Sequence, residues 1–360
     1  MTPRARLDRA GYLRLIRGQS RGPGPALGRA ALALAALGYG VVAALRNRAY
    51  DTALAPSTRV PIPVVSVGNL TLGGTGKTPM VEWIARHLRQ KGLRVAILSR
   101  GYGHTAGLND EGRVLEDNLP DVPHLQGADR VALATTALEQ LESQILVLDD
   151  GFQHRRLARD LDVVLLDALE PFGIGKLFPR GLLREPVGSL NRASVVVLSR
   201  ADLIDHDARI AIRRAAERRA GPLAWAEARH APLDLIDGVG DRLPLEFPRD
   251  RAIAAFCGIG NPEGFRRTIA NLGAQIVDFR VFPDHHPYSA RDIHDLDRWA
   301  IETRADLVLT TQKDLVKIRL DRLGAARLLA LRIGLGILTG ADALESALAA
   351  VVKDWPPSPM

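Results

Sequence analysis

The chain has 360 residues, 46% hydrophobic and 25% charged, with a formal net charge of +7. That length can bury a large core and suits two domains better than one. A single cysteine, Cys257, excludes an intramolecular disulfide framework and a cysteine-based zinc cluster, and aromatics at 5%, not interleaved with basic clusters, give no support to a nucleic-acid partner.

In chain order, the first segment is basic. Residues 1–49 carry nine Arg and one acid, Asp8, around an uncharged run from Ala30 to Leu45. As a helix this 16-residue run would measure roughly 24 Å, short of a hydrocarbon core of about 30 Å. A helix lying at an anionic membrane surface fits it best. A buried core helix, or a signal peptide ending at Ala53-Leu54-Ala55, are the alternatives.

After Asp51, strands and helices alternate. Strands are predicted at 62–67, 94–98, 145–148, 162–166 and 194–198, with helices at 79–90, 130–141 and 207–220. The strands are continuous apolar runs, as in a parallel sheet covered on both faces. From 228 to 250 periodicity fades around Pro232, Pro244 and Pro248, which reads as a linker. A second unit follows, with strands at 252–257, 275–282 and 307–310 and helices at 263–272 and 290–303. The expected organisation is a basic membrane-associated helix (1–50), an α/β core (51–227), a linker (228–250), a smaller α/β domain (251–354) and a frayed tail (355–360). The fold class is α/β, doubly wound and mostly parallel.

The clearest chemical signal is Thr71-Leu72-Gly73-Gly74-Thr75-Gly76-Lys77-Thr78, set between a strand and a helix. Glycines let backbone N–H groups turn around phosphates, Lys77 reaches the β and γ phosphates, and the Thr78 hydroxyl can sit on Mg²⁺. This is the phosphate loop of a P-loop NTPase, except that its first position is Thr71 rather than Gly. Asp149-Asp150 ends a later apolar strand, where one carboxylate can hold Mg²⁺ and the other can orient a second group. Ser99-Arg100-Gly101-Tyr102-Gly103 ends another strand, and Arg184-Glu185-Pro186 lies in a long Gly- and Pro-punctuated loop. Asn109-Asp110-Glu111-Gly112, taken alone, reads as a solvated loop. Phe282-Pro283-Asp284-His285-His286-Pro287-Tyr288 allows either a metal or a general-base reading, though no other His or Cys is spaced to complete a zinc site. Thr311-Gln312-Lys313-Asp314 ends a strand of the second unit, too far from an N-K-x-D pattern to read guanine.

These motifs, in this order over about residues 20 to 320, resemble the tetraacyldisaccharide 4′-kinase (lipid A 4′-kinase) family. The resemblance implies transfer of the ATP γ-phosphate to the 4′-hydroxyl of a tetraacylated glucosamine disaccharide 1-phosphate. It implies ATP and Mg²⁺ as cofactors and work at the cytoplasmic face of the bacterial inner membrane. Gly73, Gly74, Thr75, Gly76, Lys77 and Thr78 would bind the nucleotide together with Arg184, and Thr78, Asp149 and Glu185 would support the metal. Lys77 and Asp150 would act in catalysis, Asp110 would be the base, and His285 rather than His286 would pair with it and raise its basicity. Where that family has G-D-E-P, this chain has Asn109-Asp110-Glu111-Gly112. The competing expectation is a membrane-associated P-loop ATPase that positions other proteins, for which a base would be idle.

Overall fold

The structure is a computed structural model, and residues 9–101 and 110–353 are described. Tyr102, Gly103, Asn109 and the tail 355–360 lie outside the described residues. Two helices come first, α1 (Arg9–Ile16) and α2 (Pro23–Asp51). Then follow β1 (Val64–Asn69), α3 (Lys77–Gln90), β2 (Val95–Ser99), α4 (Asp110–Asn118), β3 (His124–Gln126), α5 (Arg130–Glu139), β4 (Ile145–Asp149), β5 (Leu161–Asp167), β6 (Val195–Ser199) and α6 (His206–Ala220). The rest comprises β7 (Trp225–Asp237), β8 (Arg242–Leu243), β9 (Ala252–Cys257), α7 (Pro262–Asn271), β10 (Gln275–Val281), α8 (Ala290–Thr303), β11 (Leu307–Thr311), α9 (Gln312–Ile318), β12 (Arg322–Leu323), β13 (Ala326–Thr339) and α10 (Ala341–Val352).

Among the described residues, thirteen strands form one sheet, whose main path runs β10-β9-β11-β13-β7-β6-β5-β1-β4-β2-β3. β1, β2, β4 and β6 are buried at every residue, as apolar runs covered by helices on both faces must be. Helices α3 and α10 cover one face of the N-terminal part, where Met80, Ile84 and Leu88 meet Leu344 and Leu348. On the other face, Leu190 and Ala216 pack over β5 and β6. Around β9 and β11 the C-terminal part repeats the scheme, with Leu296 and Trp299 of α8 on one side and Phe265 and Ile269 of α7 on the other.

The stretch expected as a linker is structured. Its first part belongs to the 13-residue strand β7, and β8 hairpins back onto it. The three prolines that suggested irregularity are tolerated. Pro232 sits where the β7–β13 register shifts, and Pro244 and Pro248 lie beyond β8. The final helix, α10, leaves the C-terminal unit it was assigned to and packs on the N-terminal core.

Among the described residues, β7 and β13 form the one antiparallel seam on the main path and create the cleft. β6 pairs in parallel with the start of β7, at Trp225 to Glu227. β11 pairs in parallel with the start of β13, whose partners on β7 are its last residues, Leu235 to Asp237. The two parallel arrays therefore hang from opposite ends of one ribbon and run toward each other. From Glu227 to Leu235 the ribbon spans roughly 27 Å at about 3.4 Å per residue. Both sets of C-terminal strand ends, where α/β folds place their ligand sites, face one gap.

Helix α2 stands apart from this packing. Its Ala36, Ala43 and Asn47 are buried, and Tyr39 donates to the Arg184 carbonyl at 2.9 Å. Leu27, Leu34, Leu37, Val41, Val42 and Leu45 are exposed. Among the described residues it is the one helix long and apolar enough to cross a membrane.

Candidate active site

The phosphate loop is held open from outside. Asn69 Nδ2 donates to Thr75 Oγ1 at 3.0 Å and approaches the Gly73 carbonyl at 3.5 Å. Arg200 donates to the Gly74 carbonyl at 3.0 Å, and Ser199 Oγ donates to the Thr75 carbonyl at 2.8 Å. With these carbonyls tied outward, the loop amides face the other way, toward the N-terminus of α3, as an anion cradle requires. Gly76 has φ 87°, and a Cβ there would meet His230 Nε2 of β7 at 2.4 Å. Only glycine fits, on both counts. Burial, seconded by Arg200, pushes the His230 ring down to about 4, so the imidazole beside the loop is neutral. Thr71, where the pattern expects Gly, bridges to Leu183, so the loop opens as an extended segment rather than a turn.

Asp149 ends β4 beside β1, and Asp150 follows in the left-handed region at φ 54°. Such a backbone costs about 1–3 kcal/mol in a non-glycine residue and tends to mark functional sites. It directs the Asp150 carboxylate to Lys77 at 3.5 Å and to Arg184 at 2.8 Å. Arg184 also donates to Gln153 Oε1 at 3.2 Å. Burial pushes the Asp150 carboxyl up, but Lys77 and Arg184 outweigh it and hold it below the usual range. Asp149 goes the other way. Burial, then the nearby Glu111 and Asp150 charges, raise it to about 7 against the pull of Lys77. Its Oδ1 is buried with no donor against it among the described residues.

That orphan oxygen, with the Thr78 hydroxyl beside the loop, is the fit test for Mg²⁺. Hard oxygen donors and one or two carboxylates suit a Mg²⁺ that takes its other ligands from phosphates and water. Thr78 and Asp149 fit. Glu185 has a structural task as well: its carboxylate is 1% exposed, and its Oε2 accepts from Asn47 at 2.8 Å and Arg192 at 2.8 Å. Through Oε2 it clips α2 to the core, while its Oε1, like Asp149 Oδ1, has no hydrogen-bond donor against it among the described residues.

The second half of the site comes from across the cleft. Asp110 is not in a loop but opens α4, where an acid in the first turn suits the helix dipole. His285, at φ 59° in the loop after β10, brings Nδ1 to 3.2 Å from Asp110 Oδ2. His286 turns away, stacking on Phe282 with Nε2 3.2 Å from Asp292. Burial pushes Asp110 up, but the His285 hydrogen bond and Lys317 outweigh it and hold the carboxyl below the usual range. The expectation that His285 would make Asp110 more basic is thus reversed. It is His285 that is raised, chiefly by its hydrogen bond to Asp110. Among the described residues no group of three or more His, Cys, Asp or Glu is placed to hold a metal ion.

Several residues at the site were not given a role from the sequence. Glu111 pairs with Lys313 at 2.6 Å, is held down in part by the Lys77 charge, and pushes Asp149 up. Lys317 lies 3.4 Å from Asp110. Arg200 follows β6 in a Ser199-Arg200 pair that repeats the Ser99-Arg100 strand end, which could have flagged it. His230 sits in the supposed linker.

A family model described as tetraacyldisaccharide-1-P 4′-kinase matches residues 28–353. The chain belongs to this family. A tetraacyldisaccharide 4′-kinase of Anaeromyxobacter dehalogenans is 45% identical over 349 residues, covering 91% of this chain and 92% of that protein. Its counterpart from Syntrophus aciditrophicus is 40% identical, covering 82% and 87%. Among solved structures, LpxK from Aquifex aeolicus in complex with ATP superposes with a TM-score of 0.70 at 28% identity, covering 90% of this chain and 99% of that one. The P-loop fold, the two-unit sheet and the N-terminal helix are therefore those of a tetraacyldisaccharide 4′-kinase family member.

Proposed function

We propose that this chain transfers the γ-phosphate of ATP to the 4′-hydroxyl of a tetraacylated glucosamine disaccharide 1-phosphate, a step of lipid A biosynthesis. The observation that carries the mechanism is the Asp110–His285 contact across the cleft, beside a phosphate loop with Lys77 at its end. An ATPase that only positions other proteins has no use for that pair, and family membership sets that alternative aside.

In this mechanism the loop amides and Lys77 bind the β and γ phosphates and meet the charge that shifts between them during transfer. Asp150 and Arg184 hold Lys77 and the strand end in place. Mg²⁺ on Thr78 and Asp149 would neutralise phosphate charge. Asp110, fixed by His285, accepts the proton of the attacking hydroxyl. Its lowered range keeps it ionised at neutral pH, ready to accept. The exposed aliphatic side chains of α2, with Arg14, Arg17, Arg21, Arg29, Arg46 and Arg48 nearby, would rest on an anionic membrane and bring the site to its glycolipid. Because the nucleotide is cytosolic, that membrane surface is the cytoplasmic face of the inner membrane.

Incubation with ATP, Mg²⁺ and disaccharide 1-phosphate lipid, read by mass, should show one added phosphate on the sugar distal to the existing one. In the Lys77→Ala variant it should fall by orders of magnitude with the fold retained. ATP hydrolysis with no lipid product would overturn the assignment.

A further inference from the structure

Helix α9 carries the Gln312-Lys313-Asp314 motif, to which phosphoryl transfer itself assigns no task. The helix starts directly at the end of β11, where Thr311 Oγ1 accepts from the Asp314 N–H at 3.3 Å. Asp314 is fully buried, and its Oδ2 accepts from the Gly258 N–H at 3.0 Å and the Thr311 hydroxyl at 2.6 Å. That carboxylate is fixed to the C-terminal unit. One turn on, Lys317 lies 3.3 Å from Asp314 Oδ1, with its side chain 9% exposed.

From this seat the Lys317 ammonium reaches two further places. It donates to the His286 carbonyl at 3.1 Å, and so holds the loop that carries His285. It also stands 3.4 Å from Asp110 Oδ2, the oxygen that His285 Nδ1 approaches at 3.2 Å. The Tyr288 ring lies beneath it at 5.4 Å. The rest of α9 grips α4 in the same way. Lys313 pairs with Glu111 at 2.6 Å, and Gln312 exchanges hydrogen bonds with Asn118, at the far end of α4, at 2.8 and 3.2 Å. A buried ammonium needs anionic partners, and Asp314 alone would satisfy that need. Sharing it with Asp110, which belongs to the other unit, needs a further reason.

We propose that Lys317 is a positioning residue for phosphoryl transfer: seated on Asp314, it locks Asp110 and the His285 loop into one rigid pair across the cleft. With Oδ2 held by two donors, Oδ1 is left to meet the sugar hydroxyl. The inference rests on the reading of Asp110 as the base.

The test uses the full-length enzyme with ATP and disaccharide 1-phosphate lipid, and compares Lys317→Met, Lys317→Arg, Asp110→Asn and the Asp110→Asn/Lys317→Met double variant. Misplacing a reacting group by about 1 Å can cost on the order of 10²-fold. Lys317→Met should therefore lower kcat by about 10- to 100-fold while leaving the KM for ATP within about two-fold. Lys317→Arg, which keeps the charge, should recover part of the loss. In the Asp110→Asn background, Lys317→Met should cost little more, since the group it positions is already disabled. Multiplicative losses, or a KM for ATP that moves as much as kcat, would reduce Lys317 to a structural ion pair and overturn the inference. Slow Asp110→Asn with normal Lys317→Met would sink the inference alone, whereas full activity in Asp110→Asn would sink the base assignment and the inference together. Should Lys317→Met fail to fold, the Arg variant, measured in both backgrounds, decides between the same outcomes.

Discussion

Replacing Glu185 with Ala should cost stability rather than magnesium use. The carboxylate is 1% exposed and lies among Asn47, Arg192 and Arg46. Arg46, 3.6 Å away with its side chain 45% exposed, is screened by water and adds little. Arg192 matters more, because its side chain is only 15% exposed and loses the one acidic partner it has among the described residues. Breaking a buried ion pair from one side costs about 3–5 kcal/mol. The lower end applies, since the Arg192 guanidinium keeps some water and its place 4.5 Å over the Phe152 ring. A loss of about 3 kcal/mol lowers the melting temperature by roughly 6–12 °C in a domain of this size. Glu185→Gln, which keeps an acceptor for both donors, should lose about 1–2 kcal/mol. Thermal melting read by circular dichroism, alongside the Mg²⁺ dependence of the kinase rate, separates the two roles. Unchanged melting with a tenfold weaker Mg²⁺ response would show that Glu185 serves the metal, and the anchoring argument would fail.

Gly76→Ala should weaken ATP binding severely, because the added Cβ meets both a left-handed backbone and His230; calorimetric titration with ATP checks this, and His230→Ala in the same chain should restore only part, since the backbone strain remains. Asp110→Ala and His285→Ala should each lower kcat by about 10²–10⁴, with a double variant far short of the product because they act as one unit; His286→Ala should be milder. His285 is raised above 6.5 by Asp110, so its proton leaves above that pH. The neutral ring leaves Asp110 a stronger acceptor, so the rate should climb through that range, and His285→Asn should flatten the climb. Substituting Leu34, Leu37 and Val41 together by Ser should release the protein from anionic vesicles in a pelleting assay without lowering its melting temperature, as all three are exposed. Deleting residues 1–48 is a poorer test, because it removes Asn47 and Tyr39 from the core contacts they make.

The parallel arrays were legible because burial on both faces leaves a plain mark. Runs such as Ile145-Leu146-Val147-Leu148 have no reason to be apolar at every position unless helices cover both sides. β7 was not legible for the opposite reason. A long strand of a ribbon between two units is only partly buried along its middle, so polar and apolar residues mix. In β7 the sequence Glu227-Ala-Arg-His-Ala-Pro-Leu-Asp234 follows no strict period. Local signals of proline and charge pointed to a linker, and pairing with a strand about a hundred residues later prevailed. The same distance hid the destination of α10, whose Leu344 and Leu348 would complete a core in either unit.

The site divides along the same line. Lys77, Thr78, Asp149 and Asp150 could be read because phosphate binding is built from contiguous backbone and strand ends. Asp110 and His285, 175 residues apart, could be paired only by resemblance, since no spacing rule joins them. What brings them together is the direction of two sheets on one ribbon, and what tunes them is Lys317, a single cation on a helix that the sequence shows only as the end of a strand motif. This explains why the expected sign of the Asp110 shift failed. A carboxylate beside an imidazole looks like a base made stronger when the pair is considered alone. The His285 hydrogen bond itself, and then the buried Lys317 ammonium against the same oxygen, favour the ionised form, and the pair trades intrinsic basicity for a fixed geometry. For a transfer whose barrier is dominated by positioning and charge rather than by proton affinity, that exchange favours the reaction.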